Sequence, residues 1–167
     1  MKIAGITTES FVDGPGLRIV IFLQGCDLNC PHCQNPSGLS REGGQEYSVG
    51  ELVRKIKQAI RGKKSVRGVT FSGGEPFLQA EELAQAAEKL SAIGLDIVTY
   101  TGHTYEGLRA RTCPHVDALL ANTDLLVDGP YIHEQRGLDL RFRGSQNQRI
   151  IDMQATCASG AVVLADI

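Results

Sequence analysis

The chain predicts an α/β fold with mostly parallel strands, on three observations. Short apolar runs rich in β-branched residues recur along it, amphipathic segments of helical period separate them, and glycine-rich or polar turns follow the runs. The 167 residues suit a single domain over 1–167, a size that buries roughly two-thirds of its unfolded surface without staples. A hydrophobic content of 42% and a formal net charge of −2 leave no basic surplus for nucleic acid. The N-terminus lacks the apolar core of a signal peptide, and no apolar run approaches the ~18 residues of a membrane span. These features set the expectation of a cytoplasmic protein with no membrane contact.

The first predicted strand is 17–23, Leu-Arg-Ile-Val-Ile-Phe-Leu, whose β-branched run delivers the chain directly into a cysteine-rich loop. Ser48-Val49-Gly50-Glu51 forms a capping box that starts a helix through about Arg61, with Leu52, Val53, Ile56 and Ile60 on one face. Residues 68–72 read as the second strand and end at Gly73-Gly74-Glu75, where Pro76 suits a helix's first turn. A helix follows over 79–92, with Leu83, Ala86, Ala87 and Leu90 at helical spacing, then a strand over 95–100. Residues 104–111 form a short helix, and 124–127, 149–151 and 162–164 are the remaining strands, about six in all. Cys26 to Cys33, Gly73 to Glu75, Thr101 and Asp128 each follow a predicted strand, the edge at which parallel α/β folds bind ligands.

The chemistry is concentrated in Gly25-Cys26-Asp27-Leu28-Asn29-Cys30-Pro31-His32-Cys33, a C-x3-C-x2-C loop that brings three thiolates together. No fourth cysteine is near, since Cys113 and Cys157 lie far downstream and read as small buried residues. An electron-carrying iron-sulfur site takes four protein ligands, so a set of three leaves one iron open. A zinc site from Cys26, Cys30 and Cys33 with His32 or a distant fourth ligand is the alternative metal reading. An odd cysteine count argues against a disulfide framework. Gly73 and Gly74 suit a turn with positive φ or a close backbone approach to a ligand, and Glu75 supplies an acceptor beside them.

On these residues the chain resembles the radical S-adenosylmethionine superfamily, whose mark is the C-x3-C-x2-C loop together with a Gly-Gly-Glu motif. Ser10-Phe11-Val12-Asp13-Gly14-Pro15-Gly16-Leu17-Arg18, Phe22-Leu23-Gln24-Gly25 and Asn35-Pro36 resemble the activases that install a glycyl radical in a partner enzyme. Asp128-Gly129-Pro130-Tyr131 and the run from Arg143 to Asp152 resemble the anaerobic ribonucleoside-triphosphate reductase activating proteins. The resemblance implies a partial (β/α) barrel, a 4Fe-4S cluster on Cys26, Cys30 and Cys33, and S-adenosylmethionine held on the open iron. It also implies that His32, at a position commonly aromatic, stacks on adenine, that Gly73, Gly74 and Glu75 meet the amino group, and that Asp128 lines the cofactor site, while Thr101, from its place after a strand, is expected to contact the ribose or sulfonium side of the cofactor. Where related activases carry a lysine two residues after that aspartate, this chain has Pro130.

The chemistry so implied is borne by the cofactor, and no side chain need act as a general acid or base. The implied partners are a glycyl-radical enzyme, foremost the large subunit of anaerobic ribonucleotide reductase, and a flavodoxin or ferredoxin-type reductant. Arg143 and Arg149 flank a polar segment suited to a partner backbone or the cofactor carboxylate. Two other readings stay open: a compact enzyme of the same superfamily acting on a small molecule, as a 7-deazaguanine synthase does, and a non-catalytic metal-binding regulatory module.

Overall fold

The computed structural model describes residues 1–63 and 65–167. Seven strands form one sheet: β1 (Lys2–Ser10), β2 (Leu17–Leu23), β3 (Gln45–Glu46), β4 (Val66–Gly73), β5 (Asp96–Tyr100), β6 (Leu125–Asp128) and β7 (Arg149–Asp152). Their order is β3-β1-β2-β4-β5-β6-β7, with parallel pairing from β2 through β6 and antiparallel pairing at both margins. The α/β expectation holds in its central βα alternation, and the sheet is open, its end strands β3 and β7 lying at opposite edges.

The margins depart from the sequence reading. β1 was not expected, because Lys-Ile-Ala-Gly-Ile-Thr-Thr-Glu-Ser alternates weakly and keeps much of its length exposed. β7 forms over the predicted residues but runs antiparallel to β6, since the chain returns through a long segment without a crossover helix. Residues 162–164 form no strand; Leu164 alone bridges to Ile151. Helices α4 (Pro114–Ala121) and α5 (Met153–Ser159) also went unread, being too short to show a clear period.

The other helices form as their sequences dictate. In α1 (Val49–Ala59) the Ser48 hydroxyl accepts from the Glu51 N–H, and the Glu51 carboxylate accepts from the Ser48 N–H at 2.8 Å. A 3-10 turn over Pro76–Gln79 leads into α2 (Ala80–Ser91), and α3 (Tyr105–Arg109) is capped by the Thr104 hydroxyl. The apolar stripes of α1, α2 and α4 bury Leu52, Ile56, Leu83, Leu90 and Leu119 against Ile19, Ile21 and Leu23 of β2, Phe71 of β4 and Ile97 of β5. Each such side chain contributes about 1.5–3 kcal/mol relative to exposure.

Side chains alternate across a strand, so Arg18 and Val20 point to the face of β2 away from the helices. Arg18 is fully buried there. Its guanidinium donates to Thr70 Oγ1 (2.8 Å) and to the carbonyls of Val69 (2.8 Å), Pro15 (3.1 Å) and Asp96 (3.1 Å), and it pairs with Asp96 Oδ1 at 2.5 Å. Burial holds its pKa below the usual arginine value, opposed by the Asp96 charge. Thr70 in turn donates to the Asp13 carbonyl (2.7 Å), so one buried cation fastens the loop between β1 and β2 across the sheet. Asp96→Ala, which strands that cation without its counter-charge, is expected to lower unfolding stability by roughly 3–5 kcal/mol in urea titration.

Candidate functional site

The cysteine loop leaves β2 through Gln24 and Gly25 and is clasped at once by backbone. Leu23 and Gly25 carbonyls accept from the N–H groups of Gly74 and Glu75, each at 2.8 Å, while the Gly25 and Cys26 N–H groups donate to Gly38 (2.8 Å) and Leu39 (3.0 Å). The Gln24 side chain, buried beneath, donates to the carbonyls of Ser37 (3.0 Å) and Ser40 (2.6 Å) and so fixes the far end of the loop.

The Gly-Gly pair, expected to turn with positive φ or to approach a ligand, has positive φ at Gly73 and closely meets the backbone that leads into the cysteine loop. A Cβ on Gly74 would stand 2.2 Å from the Gly25 oxygen, and one on Gly73, whose φ is +93°, would stand 2.5 Å from the Leu23 nitrogen. Only glycine lets the ends of β2 and β4 meet.

Cys26, Cys30 and Cys33 are free, half-buried, and line one cavity of 540 Å³ together with Gly73, Gly74, Glu75 and Thr101. Among the described residues, no three His, Cys, Asp or Glu side chains are gathered around a single ion position. A four-iron cluster does not require that, because each thiolate takes a separate iron; the donor set fits such a cluster. The Asn35 N–H points at Cys33 Sγ (3.4 Å). Burial pushes the Cys26 thiol pKa up, against the N–H groups of Leu28 and Asn29, so metal binding must displace its proton.

Glu75 is buried and fully engaged. Its carboxylate accepts from the Phe77 N–H (2.9 Å), the Thr101 hydroxyl (2.9 and 3.0 Å) and the Gly102 N–H (3.0 Å). It therefore ties the end of β4 to the end of β5, and the Thr101 hydroxyl is spent on it. Gly102 packs on Leu28 so tightly that a Cβ there would lie 2.3 Å from the leucine Cδ1. Leu28, unremarked in the sequence, thus seats the cysteine loop on β5; an apolar residue inside the C-x3-C spacing was the available signal.

Two predicted residues lie off the cavity wall. His32 is exposed, at φ +56°, and its ring stacks on His133 with centroids 4.4 Å apart. The His133 ring meets the Tyr131 hydroxyl at 3.2 Å, which joins the cysteine loop to the segment after β6. Asp128 is buried, accepting from the Tyr105 N–H (2.7 Å) and from Arg149 Nε (2.9 Å) and a terminal guanidinium nitrogen (2.5 Å). Hydrogen bonds to Asp128 and Glu106 hold the Arg149 pKa above its ordinary value. The polar segment 144–148 is also largely internal: Gln148 Oε1 accepts from the Gly144 (2.8 Å) and Ser145 (3.2 Å) N–H groups, and its amide donates to Gly129 (3.0 Å). Arg143 alone of the flanking arginines lines the cavity, where Val12, Asp13, Tyr100 and Leu138 form the wall beyond the cysteines.

The family of 4Fe-4S single cluster domains matches residues 12–151. The chain belongs to this family. Its relatives include the anaerobic ribonucleoside-triphosphate reductase-activating protein of Vibrio cholerae, 36% identical over 83% of this chain and 90% of that protein. The protein of the same name from Escherichia coli is 29% identical over 82% and 89%. The pyruvate formate-lyase-activating enzyme of Clostridium pasteurianum is 35% identical over 78% of this chain. The chain spans only 55% of that enzyme's length. With these relatives, the chain is a member of the radical S-adenosylmethionine activases. A crystal structure of QueE from Escherichia coli aligns over 62% of this chain and 53% of its own, at 22% identity and a TM-score of 0.44, a likeness too partial to bear on the site.

Two outcomes are expected of this activase-family site. Gly74→Ala should destabilise the fold by more than about 3 kcal/mol and halve or worse the iron loaded per chain, whereas Gly5→Ala, with open space around its Cβ, should match wild type in thermal melting and iron content. Burial raises the Glu75 pKa from 4.5 to about 7 against its hydrogen-bond donors. Between these values the native state holds a proton that the unfolded chain releases, so this contribution is fully present below pH 4.5 and is lost as pH rises through about 7. Urea titrations from pH 5 to 8 should show that fall in wild type and a flatter profile in Glu75→Gln.

Proposed function

We propose that the chain is a cytoplasmic, single-domain activase that installs a glycyl radical on a partner enzyme, the partner being anaerobic ribonucleoside-triphosphate reductase. The carrying observation is coverage: the alignment runs over 90% of the Vibrio cholerae reductase-activating protein but 55% of the Clostridium pasteurianum pyruvate formate-lyase-activating enzyme. The parallel strands β2, β4, β5 and β6 make up the partial barrel of this reading, with the cavity over their C-terminal ends.

Cys26, Cys30 and Cys33 would hold the 4Fe-4S cluster, and the cavity beside Gly73, Gly74, Glu75 and Thr101 would take S-adenosylmethionine. When bound, the pair supplies one-electron reductive cleavage to methionine and a 5'-deoxyadenosyl radical, the electron coming from a flavodoxin or ferredoxin-type donor. The chain's own work is positional. Gly73 and Gly74 let β4 press on the loop that carries the thiols, and Glu75 holds the Thr101-Gly102 turn against it. His32 and Asp128 act from outside the cavity, one through His133 and the other through Arg149.

The test is anaerobic reconstitution with iron and sulfide, dithionite reduction and chromatographic assay of 5'-deoxyadenosine, followed by electron paramagnetic resonance of the reductase after mixing. Wild type should load a four-iron cluster, cleave S-adenosylmethionine and yield a glycyl radical signal, while Cys30→Ala should lose all three. Uptake of one zinc per chain with S-adenosylmethionine left intact would sink the proposal in favour of a metal-binding module.

A further inference from the structure

The wall opposite the cysteines has a composition that cofactor binding does not explain. Among the described residues, the three most exposed large apolar side chains are Leu138, Val12 and Phe11, at 100%, 76% and 70%, ahead of Leu164 at 60%. Leu138 and Val12 both line the cavity mouth, and Phe11 adjoins Val12. Two exposed apolar side chains from distant chain segments thus line one opening, and a third, Phe11, neighbours one of them in the chain. Concentration of exposed apolar surface at a cavity rim marks an interaction site, whereas scattered exposed residues do not.

Charge sets the kind of partner. The stretch from Arg136 to Arg143 holds Arg136, Arg141 and Arg143 against a single aspartate. Every arginine–carboxylate pair among the described residues involves Arg18, Arg67, Arg109 or Arg149, so these three guanidinium groups have no counter-charge. Arg143 donates to the Gln148 carbonyl at 3.1 Å, and its Nε is buried with no partner. The strand edge holds this segment in place: Phe142 sits at φ +54°, rare for an aromatic residue, and the Tyr100 hydroxyl donates to its carbonyl at 2.7 Å.

We infer that Phe11, Val12 and Leu138, with Arg136, Arg141 and Arg143, form the docking wall for the glycine-bearing segment of the partner enzyme. That segment brings apolar side chains to the rim and at least one carboxylate to the arginines. Arginine is well suited to such an interface, because its planar fork takes a carboxylate bidentately and it is enriched where partners bury a patch. The inference rests on the activase reading and adds to it the place and chemistry of partner recognition.

The test measures binding of the full-length, reconstituted chain to the purified large subunit of the source organism's anaerobic ribonucleotide reductase, and in parallel to pyruvate formate-lyase, by anaerobic calorimetry. Leu138→Glu is expected to weaken reductase binding at least tenfold and Arg141→Glu at least threefold, with iron content and melting temperature matching wild type. Wild-type affinity should also fall as salt rises from about 50 to 300 mM, as screening of unlike charges requires. Tight wild-type binding that both variants retain would overturn the docking wall and leave the activase reading standing. No wild-type binding to either enzyme would overturn both.

Discussion

The structure depends on one backbone clasp, the pair of hydrogen bonds by which Leu23 and Gly25 accept from Gly74 and Glu75. It joins the residue that ends one parallel strand to the residues that end its neighbour, at the point where the chain turns into the three cysteines. Both glycines are required for it, one by positive φ and both by contact with the facing backbone. The thiol-bearing loop is thereby fixed to the most deeply buried part of the sheet, where β2 and β4 pack against the helices. Irregular backbone is ordinarily the most variable part of a fold. Here its anchors are backbone hydrogen bonds at the strand ends.

The buried carboxylates extend that anchoring sideways. Glu75 links the end of β4 to the turn after β5, and Asp128 links the end of β6 to the start of β7 and to the first turn of α3. Both are more than nine-tenths buried, yet their settlements differ. Asp128 faces the Arg149 guanidinium, a full counter-charge. Glu75 faces only neutral donors, and desolvation moves its titration up to about neutrality.

The interior of the fold was legible in the sequence, because local chemistry determined it. The run 17–23, the Ser48 capping box and the periodic stretch before Leu95 each announce an element, and the cysteine spacing announces three thiols that line one cavity. The margins were not legible: β1 is half-exposed and weakly alternating, while the direction of β7 follows from tertiary return of the chain. Roles of single polar residues were the hardest to read. Thr101 and Asp128 stand at the predicted strand ends, but their partners Glu75 and Arg149 lie 26 and 21 residues away, and no spacing rule reveals such pairs. The placing of His32 was hidden for a related reason, since its left-handed backbone sets the ring against His133.

All the larger helices pack on one face of the sheet, and the other is covered by loops alone, one hung from Arg18 and Thr70, the other from Tyr100. The two faces therefore carry separable information. Substitutions along 136–143 touch neither the helical core nor the clasp that holds the cysteine loop, so that stretch can vary at the open side of the cavity while the anchoring of the cysteines is preserved. Change can accumulate along one wall of the cavity while the wall that carries the thiols stays fixed.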